Sequence, residues 1–62
     1  MEHNELWDLR ESYKVSQRRL ALYLGVSNTV VAKWERRQIV RLERLALYRQ
    51  VLPLIAEGRP AA

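Results

Sequence analysis

Between Val15 and Val31 the chain writes the same start signal twice. A valine precedes a serine, and an apolar residue follows the valine by five positions: Val15, Ser16 and Leu20, then Val26, Ser27 and Val31. A serine in extended backbone accepts a hydrogen bond from an amide two or three residues later, satisfying one of the donors that a helix start leaves free. The valine and the apolar residue five positions on close each entry as a hydrophobic staple. Leu20, Ala21 and Leu24 recur at helical spacing, and Gly25 supplies the left-handed backbone that ends a helix. Ser16 to Arg36 therefore predicts two short helices joined by a glycine turn, the outline of a helix-turn-helix.

The flanks extend this helical reading. Asn4 can cap a first helix over about residues 4–14, with Glu5 and Asp8 in the first turn, where the helix dipole favours negative charge. Leu6, Leu9 and Tyr13 form its inward stripe, and Arg10 falls on that same stripe. A guanidinium there needs a carboxylate, or must snorkel to water with only its stem covered. A C-terminal helical segment spans about residues 40–57. On it Leu42, Leu45, Ala46 and Leu52 gather on one face, while Leu47, Val51 and Leu54 gather roughly opposite. Pro53 either kinks this segment or opens a short last helix, and Gly58 and Pro60 stop it.

Size and composition narrow the function classes. At 62 residues, 1–62 reads as one small domain near the lower limit for folding unaided, so association with a second copy would help. The absence of cysteine leaves no disulfide and no thiolate metal site, and His3 near the terminus reads as solvated. No metal or cofactor is expected, and nucleophilic, metal-assisted and acid–base catalysis lack their parts. No apolar run approaches the ~20 residues that span a bilayer, so a cytoplasmic protein without membrane contact is expected.

Charge is segregated along the chain. Between Met1 and Tyr13 four acids face one base, whereas from Lys14 to Arg49 nine bases face two acids. The basic middle coincides with the helix-turn-helix and is the electrostatic footprint of a polyphosphate partner. The aromatic and glycine signatures of single-stranded RNA readers are missing.

Gln17, Leu20, Ala21, Gly25, Val26, Ser27, Val31, Trp34 and Glu35 resemble the motif of the lambdoid phage repressor and Cro family, the Xre-type helix-turn-helix family. The resemblance is strongest from Arg10 to Arg37. It implies an all-α, small four- to five-helix, lambda-repressor-like DNA-binding domain. It also implies that Arg10 pairs with Glu35, and that the second helix of the motif lies in the major groove. Asn28, Thr29 and Lys33 then hold the base-reading positions: Asn suits adenine, Lys suits guanine, and the Thr methyl suits thymine. Val31 and Trp34 belong to the core. Ser16, Gln17 and Ser27 at the helix starts, with Arg36, Arg37 and Arg41 around the second helix's exit, are the expected phosphate contacts. The chain departs from the family where it carries Arg37 in place of a usual glycine, which predicts an extended or strained exit.

The leading expectation is a sequence-specific, double-stranded DNA-binding transcriptional regulator. It would be a dimeric repressor of its own gene on a palindromic operator, its homodimer joined through Leu47, Val51, Leu54 and Ile55. A chain this short leaves no room for a ligand-sensing domain, so its own concentration would regulate it. The resemblance admits phage or plasmid repressors, repressors of anti-CRISPR operons, and antitoxins. The alternative is an antitoxin or adaptor whose apolar C-terminal helix binds a toxin or other protein partner.

Overall fold

A computed structural model describes residues 3–59 and contains four helices, with no strand among the described residues. Helix α1 runs Glu5–Ser12, α2 Gln17–Leu24, α3 Asn28–Trp34 and α4 Leu42–Ala56. Pro60 lies outside the described residues.

Each expected start is present. Asn4 accepts the Leu6 amide, Ser16 the Arg19 amide and Ser27 the Val30 amide, at 3.0, 3.0 and 3.3 Å. Val15, Leu20 and Val31 are buried and Val26 is half-buried, so the apolar residues around both starts reach the core or its edge. Gly25 adopts φ 73°, and the amides of Gly25 and Val26 bond the carbonyls of Leu22 and Ala21. That pairing closes α2 on a left-handed residue. The small Ala21 is buried on α2, which packs against α3 and α4.

Three details differ from the sequence reading. Helix α1 stops at Ser12 because Lys14 turns left-handed at φ 56°, which lets the Val15 amide return to the Arg10 carbonyl. A side chain in that backbone costs about 1–2 kcal/mol, and no glycine marks the site. Helix α4 continues through Pro53 as one element, so of the two expected outcomes a separate last helix is absent. Pro53 has no amide hydrogen to offer the Arg49 carbonyl one turn back. Leu42, expected on the core face, is 84% exposed, and Ala46 is exposed as well.

The core gathers Leu6 from α1, Leu20 and Ala21 from α2, Val31 from α3, and Tyr48, Val51, Leu52 and Ile55 from α4. Burying each large aliphatic side chain contributes about 1.5–3 kcal/mol. Val51 and Ile55 therefore belong to the chain's own core, which corrects their expected place on a free dimer face. Leu47 and Leu54 remain half-buried. Arg19 donates to the Ile55 carbonyl at 2.9 Å and ties α2 to the last turn of α4.

Candidate nucleic-acid interface

The exit of α3 is fixed by a buried polar hub. Arg10 and Glu35 are 3% and 1% exposed, a degree of burial at which an unpaired charge would be strongly destabilising. Arg10 Nε donates to Glu35 Oε2 at 2.9 Å and Arg10 Nη2 to Glu35 Oε1 at 3.1 Å, a two-point pairing. Arg10 Nη1 completes the guanidinium's partners with the Val15 carbonyl at 2.7 Å and Glu11 at 3.1 Å. The carboxylate also accepts from Gln17 Nε2 at 3.0 Å and from the Tyr48 hydroxyl at 2.8 Å. Among the described residues no buried side-chain nitrogen or oxygen lacks a partner.

One glutamate thus joins all four helices, and the bonds from Gln17 and Tyr48 are contributions the sequence reading missed. A buried tyrosine hydroxyl needs an acceptor, and a buried carboxylate needs more donors than one arginine. Those two requirements are the signal that pairs them. Burial, then the hydrogen bond and charge of Glu35, hold the Tyr48 phenol proton well above the usual tyrosine range.

With the hub fixed, α3 is strongly two-sided. Asn28, Thr29 and Lys33 are exposed, and at about 100° per residue they lie within about 140° of arc. Val31 is fully buried and Trp34 half-buried on the other side. The exposed set carries amide, hydroxyl and ammonium groups, the chemistry that reads base edges. Trp34 packs against the core, and the Arg44 guanidinium lies 3.9 Å from its ring centroid. That stack was also absent from the sequence reading.

The expected phosphate contacts fall into two groups. Arg36, Arg37 and Arg41 are exposed, and Arg37 and Arg41 both line a cleft of about 300 Å³ beside Leu6, Trp34 and Val40. Arg41 approaches Glu43 at 3.8 Å with both side chains largely in water, a weak restraint. Ser16 and Ser27 are exposed but engage their oxygens in helix caps, and Gln17 gives one amide hydrogen to Glu35. Arg37 does not take the left-handed backbone of the glycine it replaces, since among the described residues only Lys14, Gly25 and Gly58 have such φ values. The strained exit expected there is absent.

Among the described residues no group of histidine, cysteine and carboxylate side chains could hold a metal ion, and no helix is long and apolar enough to cross a membrane. No curated protein and no solved structure matches the chain. A helix-turn-helix family model matches residues 8–54, which include all of α2 and α3 and most of α4. Capped α2 and α3 about a left-handed Gly25, an exposed polar arc on α3, and this match over more than half of the chain lead to one conclusion: the chain belongs to the Xre/Cro-type helix-turn-helix family of DNA-binding regulators.

Proposed function

We propose that this chain is a sequence-specific transcriptional repressor that binds a palindromic operator as a two-fold dimer and represses its own gene. The observation that carries the reading is the two-sided α3, whose polar arc of Asn28, Thr29 and Lys33 faces water while Val31 and Glu35 anchor its back. In the major groove Asn28 would pair with adenine, Lys33 would donate to guanine, and the Thr29 methyl would meet a thymine methyl. Arg36, Arg37 and Arg41 would grip phosphates, while Ser16, Gln17 and Ser27 present helix-start amides to the backbone. Sequence choice then lies on α3 and nonspecific affinity on the arginines.

The dimer seam is best drawn over Leu47 and Leu54. They lie seven residues apart on one stripe of α4 and are half-buried, whereas Val51 and Ile55 are enclosed by their own chain. The same enclosure weakens the reading as an antitoxin or adaptor that offers this apolar helix to a protein partner.

Selection of bound sites from random duplexes tests the proposal. It should return an inverted repeat whose half-sites are centred about 10 bp apart, one helical turn. Recovery without any enriched sequence would remove base reading, and a single asymmetric site would remove the two-fold dimer.

A further inference from the structure

A helix end leaves four backbone carbonyls without helical partners, and a left-handed glycine commonly turns the chain so that they are met. Helix α3 ends without one: its cap residue Glu35 has φ −84° and ψ −2°, and Arg37 stands where glycine is usual. The Glu35 and Arg36 amides meet the Val31 and Lys33 carbonyls within the last turn, and the Trp34 carbonyl and those of the exit segment beyond it are met from the other end of the domain. Asn4 Nδ2 donates to the Trp34 carbonyl at 2.7 Å and to the Arg37 carbonyl at 3.0 Å. The Asn4 amide donates to the Glu35 carbonyl at 2.9 Å. With its remaining atoms Asn4 starts α1: Oδ1 accepts the Leu6 amide at 3.0 Å and its carbonyl accepts the Trp7 amide at 3.1 Å.

One side chain therefore ends α3 and begins α1. Asparagine has the atoms for both tasks, since its oxygen caps a helix start while its NH2 offers two donors to carbonyls. Aspartate has no donor, and serine has one donor on a shorter arm. The segment held in this way carries Arg36 and Arg37, whose exposed side chains form no salt bridge among the described residues. Only the backbone fixes where those guanidinium groups begin.

We infer that Asn4 is a positioning residue for DNA binding, substituting for the missing glycine at the α3 exit and holding the Arg36–Arg37 segment against the phosphate backbone. The inference rests on the reading of Arg36 and Arg37 as phosphate contacts, and the test separates the two. Asn4→Ser keeps a neutral cap on α1 and the main-chain bond to the Glu35 carbonyl but cannot reach the Trp34 and Arg37 carbonyls, so α1 stays formed while the Arg36–Arg37 segment loses its side-chain restraint.

The salt dependence of nonspecific DNA affinity is measured for wild type, Asn4→Ser, Arg36→Ala/Arg37→Ala and the triple variant, well below the melting temperature of each. Each phosphate that the protein no longer neutralises flattens the slope of log affinity against log salt by about 0.9. The double arginine variant should flatten the slope by about twice that step. Asn4→Ser should flatten it by about one step in the wild-type background and not at all in the double-variant background. A merely structural Asn4 would leave the slope unchanged or shift both backgrounds equally, and either outcome overturns the inference while the phosphate reading stands. An unchanged slope in the double arginine variant would overturn the phosphate reading and the role of Asn4 with it.

Discussion

Replacing Tyr48 by phenylalanine removes one oxygen from the core and leaves the ring in place. The interaction removed is the 2.8 Å bond from the phenol to Glu35 Oε2. A hydrogen bond to a charged group contributes about 1.5–3 kcal/mol. The lower end applies here, because Oε2 keeps Arg10 Nε at 2.9 Å and is not left unsatisfied. A loss of about 1.5 kcal/mol, at about 4–8 °C per kcal/mol for a domain of this size, lowers Tm by about 6–12 °C. Thermal unfolding followed by circular dichroism at fixed protein concentration measures the shift. The pH dependence supplies an independent check, with its sign set by the raised phenol pKa. Folded Tyr48 keeps its proton above about pH 10 while the unfolded chain loses it, so wild type loses stability there. The phenylalanine variant has no such loss, and its deficit should close by about pH 11, at about 1.4 kcal/mol per pH unit. Equal melting temperatures, or a deficit constant from about pH 8 to 11, would mean that the bond from Tyr48 to Glu35 does not stabilise the fold.

Arg10→Met should destabilise more than Glu35→Met, within a range of about 3–5 kcal/mol for a broken buried pair. The asymmetry arises because Arg10 keeps Glu11 and the Val15 carbonyl when Glu35 is lost, whereas Glu35 keeps only the neutral donors Gln17 and Tyr48. A double-mutant unfolding cycle in stabilising osmolyte should find the pair of changes less costly than their sum, and additivity would deny the coupling. Leu54→Glu should give a folded monomer with weakened operator binding, read by sedimentation, because Leu54 is half-buried whereas Leu47 also packs against the core. Val51→Glu should unfold the chain instead, because that side chain is in the core.

The short-range signals were legible in the sequence. Capping by Ser16 and Ser27 and the left-handed Gly25 each depend on residues within a few positions, and each fixes its own backbone. The buried face of α3 followed from the spacing of Val31 and Trp34. What was not legible depends on long-range geometry. Leu42 has the hydropathy of a core residue, but at the first position of α4 it projects beyond the packed helices. Periodicity places Val51 on a second apolar face, and Val51 and Ile55 in a dimer seam, because nothing local says which of two apolar stripes α1 and α2 will cover. The left-handed Lys14 had no glycine to announce it, and the bonds from Asn4 to Trp34 and Arg37 cross some thirty positions. The polar arc on α3 was therefore readable, whereas the devices that hold it were only partly so.

In the proposed function, α3 chooses the sequence while the arginines at its exit supply affinity for any duplex. The most direct measurement is the ratio of operator to random-duplex affinity for Lys33→Ala and Asn28→Ala beside Arg36→Ala, at one salt concentration. The α3 variants should lose about 1–3 kcal/mol of discrimination each, at defined base pairs. Arg36→Ala should weaken both duplexes alike and leave the ratio unchanged. An unchanged ratio in both α3 variants would take base reading away from α3, and a ratio that collapses in Arg36→Ala would make Arg36 a base reader and not a phosphate contact.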